Sequence, residues 1–227
     1  MSSSNQASSW SKRYNETKSN PVYPTEWVLR MIAGANYPNY KYDKTLYQGK
    51  KILDISCGDG RNLELLLHLG FEVYATETDA ESVALLSERF PAVKFEVGFN
   101  HKHNYPENFF DFALACGSFY YLEKETSFTD NLRELNRICK SGARFFANLT
   151  TKSSYVLDNA VELGNGEYLI TSDPHNCRDG YRWQTFENCD QIKETFSLQF
   201  QVLACSKLSD DYFGYLIENH IIVAENR

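Results

Sequence analysis

The sequence predicts an α/β chain with a doubly wound sheet, and three observations carry that expectation. Lys51 to Asp54 is a short apolar run that ends in a carboxylate. It is followed by a small-residue turn with glycines at 58 and 60, and then by Asn62 to Leu69, an apolar helical stretch stopped by Gly70. Further on, strand-like runs at Glu72–Glu77, Val93–Val97 and Phe109–Cys116 alternate with segments of helical period. Strand, glycine turn and helix form the opening unit of a doubly wound domain, in which ligands sit beyond the carboxyl ends of the strands.

Length and composition bound the answer. At 227 residues the chain fills one domain, and a second independent core is not expected. It is 42% hydrophobic and 15% aromatic, with a formal net charge of −7, which disfavours broad binding to nucleic acid or anionic membrane. No apolar run is long enough to span a bilayer, and Met1 to Ser9 is polar, Ser/Asn-rich and without the apolar core of a signal peptide. Six cysteines (57, 116, 139, 177, 189 and 205) are widely spread without a Cys-x-x-Cys pair, so reduced, mostly buried thiols and a cytoplasmic location are expected.

The glycines let the backbone turn sharply and approach a ligand at a helix N-terminus. A dinucleotide fingerprint would continue G-x-G-x-x-G/A, but its third place falls on Leu63, and Asp54 stands just ahead of where a pyrophosphate would lie. Glu77 follows Gly58 by 19 residues, near the distance at which this kind of fold sets an acid against ribose hydroxyls. The alternative for Glu77 is a solvated acid at a strand end. Asp79 reads as an N-cap for a helix over Glu81 to Arg89.

Asp54-Ile-Ser-Cys-Gly58-Asp-Gly60 resembles motif I (D/E-x-G-x-G-x-G) of the class I S-adenosylmethionine-dependent methyltransferases, with Ser56 in a place where the family often has glycine. "P-E-N-F-F-D-F-A-L-A-C-G-S-F-Y-Y-L", over residues 106–122, resembles the family's "F-D-x-V-x-x-x-x-x-L-H-H-L" stretch at the right spacing. The likeness extends over Trp10 to Leu149 and includes a bacterial-type lead-in, Tyr23-Pro-Thr-Glu-Trp-Val. It implies S-adenosyl-L-methionine as cofactor and a Rossmann-like sheet of about seven strands, mostly parallel, whose antiparallel edge would be the closing strands Leu198–Ser206 and Tyr215–Ala224. The implied cofactor contacts are Asp54, Ser56, Cys57, Gly58, Gly60 and Asn62 in and beside the loop, Glu77 at the ribose, Thr78 along the adenosine, Asn100 near the adenine amino group, and Ala115 and Cys116 at the end of strand four. Tyr14 and Tyr23 would lie over the methionine end, or else pack a lid onto the sheet.

Thr25 is placed to cap a helix carrying Trp27, Val28, Met31 and Ile32 on its apolar face. Asp130 to Lys140 has Leu132, Leu135 and Ile138 at helical spacing, and Ala143 to Leu149 reads as strand five. Glu167–Thr171 and Tyr181–Phe186 read as short strands around a polar turn, and Cys189 to Phe196 as a helix. The expected organisation is a tail over 1–9, a lid over 10–49, a cofactor core over 50–149, a substrate-side insertion over 150–190 and closing strands over 191–227.

Where the family often carries a histidine pair, this chain has Tyr120 and Tyr121, and a phenol titrating near pH 10 is a poor general base. Tyr120 could orient a substrate or pack in the core. His175 and His220 are the candidate bases; His175 stands beside Asp173, Arg178, Tyr181, Arg182 and Trp183, whereas His220, inside a closing strand, reads as structural. With Tyr23 and Tyr121, Arg178, Arg182 and Trp183 would bind the acceptor by guanidinium forks and aromatic faces, unless the segment is a solvated hairpin. His101 and His103 have no third ligand at metal spacing and read as solvated loop histidines, so no metal is expected. The expected activity is methyl transfer to a small polar acceptor, namely a sugar, sugar nucleotide or phosphorylated metabolite, by a monomer or homodimer. A nicotinamide-dependent oxidoreductase and a non-catalytic domain of the same fold are the alternatives.

Overall fold

A computed structural model of the chain describes residues 10, 12, 21–34, 37–41 and 43–227. The N-terminal tail and Tyr14 lie outside the described residues. The main sheet has seven strands in the order β10-β11-β6-β4-β1-β2-β3. They are β1 Lys51–Asp54, β2 Glu72–Glu77, β3 Lys94–Val97, β4 Phe110–Ala115, β6 Cys139–Thr150, β10 Phe200–Tyr212 and β11 Tyr215–Asn226. The pairs from β6 through β4, β1 and β2 to β3 are parallel, and β11 adds antiparallel to both β6 and β10. The expected mostly parallel sheet with an antiparallel edge is therefore present. Strand order reverses between β1 and β4, and this is the switch point where such sheets open a crevice.

Apolar residues alternate across both faces of the central strands. On β4, Phe110, Ala113 and Ala115 belong to one core, while Phe112 and Leu114 belong to the other. β6 divides in the same way between Phe145, Ala147 and Leu149 on one side and Phe146 on the other. Helices must then cover both faces. One face receives Phe128, Leu132, Leu135 and Ile138 of α4 (Phe128–Ile138) and Ile192 and Phe196 of α5 (Cys189–Phe196). The other receives Leu63 and Leu66 of α2 (Leu63–His68), Leu86 of α3 (Ala80–Arg89), and Trp27, Val28 and Ile32 from the N-terminal lid.

The helix starts follow their caps. Asp79 Oδ1 accepts from Ser82 N–H at 2.8 Å, as expected of an N-cap. α4 begins two residues before the expected Asp130, because Ser127 and Asp130 form a reciprocal capping box. Thr25 stands at the N-cap of α1 (Glu26–Val28), which runs on as a π-turn over Leu29–Ala33, but its side chain does not cap. The Lys140–Ala143 segment bulges out of β6, since the register against β4 jumps from Phe110↔Cys139 to Phe112↔Arg144.

Three expectations are corrected. The substrate-side insertion forms a sheet of its own, ordered β5-β9-β8-β7 from Tyr121–Leu122, Arg182–Gln184, Glu167–Leu169 and Val161–Gly164. Tyr120, Val156, Leu157, Ile170 and Trp183 form its core. Cys189 and Cys205 are joined as a disulfide, so only Cys57, Cys116, Cys139 and Cys177 are free thiols. His103 is buried rather than solvated, packs against Tyr105, and has its pKa lowered to about 4 by that burial. Among the described residues no helix is long and apolar enough to cross a membrane.

Gly60 adopts φ +78, and a Cβ there would meet the ring of the buried Phe90 at 2.5 Å. Gly142 has the same φ with nothing within 4 Å. Gly60→Ala should lower unfolding stability by about 2–4 kcal/mol, against about 1–2 kcal/mol for Gly142→Ala. Urea midpoints of the two variants check this, and equal losses would mean that Phe90 yields freely.

Candidate active site

The turn after β1 hangs on the end of β2. Ser56 N–H donates to Thr76 Oγ1 at 3.2 Å and Cys57 N–H to the Thr76 carbonyl at 3.0 Å. Gly58 N–H donates to Glu77 Oε1 at 2.6 Å, and Thr78 N–H to Oε2 at 3.2 Å. Ser56 takes φ +51, which explains the glycine preference at this position, since left-handed backbone disfavours a Cβ. Glu77 is almost fully buried, and burial raises its pKa to about 7 in spite of the two backbone donors. Each of its oxygens has a second lone pair available.

A cavity of about 790 Å³ opens at the switch point, within the usual range for small-molecule sites. Its first half is lined by Ser56, Cys57, Gly58, Asn62, Glu77, Thr78, Asn100 and Cys116. Asn100 Nδ2 is committed to the carbonyls of Ser118, at 2.8 Å, and Tyr121, at 3.2 Å. Its Oδ1 is buried without a partner and is thus an unmatched acceptor. Asn62 holds the N-terminal segment by accepting from Thr25 N–H at 3.0 Å, and the Cys116 thiol donates to Thr25 Oγ1 at 3.4 Å.

The second half is aromatic. Tyr120 and Tyr121 stack at 5.3 Å, and Trp183 meets both rings edge-on at 4.7 and 5.1 Å. Arg178 lines the same region, pairs with the fully buried carboxylate of Asp173 at 2.9 Å and lies over the ring of Trp10. Asp173 also accepts from the backbone N–H groups of Cys177 and Arg178, which fixes the turn that carries the guanidinium. Trp183 Nε1 is a buried donor without a partner. Burial pushes the phenols of Tyr120 and Tyr121 above their ordinary range, so both are neutral hydroxyls.

Six of the residues expected at the site do not line the cavity. Asp54 is fully buried at the end of β1, both its oxygens lack partners, and burial together with Glu77 raises its pKa. Gly60 packs on Phe90, and Ala115 is fully buried in the central strand. Tyr23 is 76% exposed and turned to solvent, while its neighbours Val22 and Thr25 line the cavity. His175 is exposed, with its ring against Tyr155 and Tyr215. Arg182 is tied to the Glu167 carboxylate and to the carbonyls of Glu123 and Thr126, which makes it a staple of the small sheet. Tyr14 lies outside the described residues.

The structure also adds residues. Asn148 accepts from Gly117 N–H at 2.6 Å and donates to Asn219 Oδ1 at 3.2 Å, so β4, β6 and β11 are joined at the cavity floor. One signal was present in the sequence: Asn148 interrupts the apolar run Phe145–Leu149. Asn219 and Tyr155 carried none, because they reach the cavity only through pairing and insertion folding.

Residues 53–147 match the family model described as "Methyltransferase domain". No curated protein matches the chain significantly. A SAM-dependent methyltransferase from Methanosarcina mazei is 18% identical with a TM-score of 0.66, covering 85% of this chain and 98% of its own. The Burkholderia thailandensis 1,6-didemethyltoxoflavin-N1-methyltransferase, solved with 1,6-didemethyltoxoflavin and S-adenosylhomocysteine, is 14% identical with a TM-score of 0.60, covering 100% of this chain and 91% of its own. The [4+2]-cyclase SpnF is 13% identical with a TM-score of 0.66, covering 97% and 94%. At these identities the solved structures show a shared fold, and the cyclase among them shows that the fold hosts more than one chemistry. The matched methyltransferase domain thus spans the end of β1, the glycine turn, strands β2 to β4 and most of β6, and the seven-stranded sheet around it has the fold of solved S-adenosylmethionine-dependent methyltransferases.

Proposed function

We propose that the chain transfers a methyl group from S-adenosylmethionine to an oxygen or nitrogen of a small polar acceptor: a sugar, a sugar nucleotide or a phosphorylated metabolite. The observation that carries the cofactor assignment is the acceptor capacity left in the first half of the cavity: the bare Oδ1 of Asn100, and Glu77, whose two oxygens each take only one backbone donor. A ribose diol suits the remaining lone pairs of Glu77, and an exocyclic adenine amine suits the bare Oδ1 of Asn100. Bound there, the cofactor supplies an electrophilic methyl group on a sulfonium, open to in-line displacement.

What the chain contributes is placement. Arg178 and the unpaired Trp183 N–H offer donors to an anionic or oxygen-rich acceptor, and the stacked tyrosines offer it a face. Among the described residues no histidine lines the cavity, so positioning carries the rate in this reading. The reading includes a cytoplasmic setting, a small-molecule partner, and no nucleic-acid or membrane role, in a monomer or homodimer.

The deciding experiment is a thermal shift against S-adenosylmethionine, S-adenosylhomocysteine and NAD, followed by isotopic methyl transfer to a metabolite panel. A ligand that binds only the folded state raises its melting point. Stabilisation by the two sulfur compounds alone is expected, and stabilisation by NAD alone would overturn the assignment. The affinity should also depend on pH. Hydroxyl donors need the carboxylate form of Glu77, whose pKa is raised to about 7. S-Adenosylhomocysteine affinity should therefore fall as pH drops through 7, approaching tenfold per unit, and Glu77→Gln should bind more weakly with a flat profile. Calorimetric titrations from pH 5.5 to 8.5 measure both.

A pair of arginine variants separates the two halves of the insertion. Arg178→Lys keeps the charge but loses the fork, and should lower kcat/KM for the acceptor about tenfold while leaving cofactor affinity unchanged. Arg182→Met should instead lower the melting point, with little effect on the acceptor KM of the folded enzyme. The reverse pattern would assign the acceptor to Arg182.

A further inference from the structure

We propose that Cys189, Cys205 and His220 form a redox-gated metal site: a disulfide when oxidised, and a Cys₂His site for a zinc-type divalent ion when reduced. The three ligand atoms come from three elements, α5, β10 and β11, and all lie within 4.8 Å of one another. Nothing in the cavity uses them.

Each side of the site is held by separate packing. Cys189 opens α5, whose preceding residue, Asn188, caps the helix by accepting from the N–H groups of Asp190 and Gln191. Cys205 and His220 lie on paired strands, where Cys205 faces Ile222 and His220 faces Lys207. When a dithiol reductant supplies two electrons and two protons, the S–S bond becomes two thiols while these elements stay packed. The sulfurs remain neighbours at a Cα–Cα separation of 5.9 Å.

That spacing suits a metal. Around a tetrahedral ion with Zn–S near 2.3 Å and Zn–N near 2.0–2.1 Å, sulfur–sulfur contacts are about 3.8 Å and sulfur–nitrogen contacts about 3.6 Å. His220 Nδ1 already lies 3.9 Å from Cys189 Sγ. The imidazole is 4% exposed, and burial lowers its pKa, which favours the neutral form that ligates. The Lys207 ammonium, a charge that acts against a cation at His220, is engaged by Glu218 at 2.7 Å. Both cysteines are only half-buried, which leaves an approach for the ion and room for water as a fourth ligand. Binding releases two thiol protons to solvent, so the site should load more tightly at higher pH.

The test uses the full chain, reduced by a non-thiol phosphine and freed of reductant, then titrated with Co²⁺ and competed with Zn²⁺. The expected result is one equivalent bound with thiolate-to-cobalt charge transfer and tetrahedral d–d bands. Both signals should be absent from the oxidised chain and from Cys205→Ser, with at least a tenfold loss of affinity in His220→Gln. Circular dichroism confirms that each variant is folded. Cobalt binding by reduced wild type no stronger than by the Cys189→Ser/Cys205→Ser variant would overturn the proposal. So would a pair that cannot be reduced without unfolding the chain.

Discussion

The hydrogen bond from Gly58 N–H to Glu77 is the constraint on which the site depends. It closes the glycine turn against the end of β2, and together with the two Thr76 contacts it fixes a loop that would otherwise have no reason to hold a left-handed serine. The same bond is half of what a buried carboxylate needs. Isolated at that depth, Glu77 would be neutral at physiological pH, and the backbone donors from Gly58 and Thr78 offset the burial enough to leave it poised near 7. Loop geometry and the charge state of the buried carboxylate are thus set together.

Around that bond the chain divides its labour by topology. The parallel strands, apolar on both faces, place the ends of β1, β2 and β4 side by side, so the first half of the cavity is built from neighbouring strand ends. The second half comes from chain inserted after β6, which folds into its own small sheet and returns Trp183 and Arg178 to the cavity wall. Asp173, buried and paired with Arg178, keeps that charge from collapsing onto solvent.

Much of the first half was legible in the sequence, because its residues are contiguous with strand ends: Gly58, Glu77, Thr78 and Asn100 follow the strands that position them. The expected residues that do not line the cavity are kept from it for physical reasons. Asp54 belongs to the motif but is fully buried and off the cavity lining, and at Gly60 a positive φ and the Phe90 ring already exclude a Cβ. His175 and Arg182 sit in the right segment, yet strand pairing in the insertion turns one to the surface and gives the other to Glu167. The disulfide was hidden because its partners, 16 residues apart, meet only when α5 docks on β10. Sequence spacing carries local geometry well and the pairing of distant segments poorly.

Asn100 has one more consequence. Its amide holds the carbonyl of Tyr121, which lies in β5, and Tyr121 pairs directly with Trp183 of β9. The two halves of the cavity, proposed to hold adenine and acceptor, therefore share a two-residue strand. A ligand that stiffens this strand from either side lowers the ordering cost for the other, and linkage requires the effect to be reciprocal. Cofactor and acceptor should then assist each other's binding by the same factor, a heterotropic cooperativity carried by backbone that touches neither reacting atom.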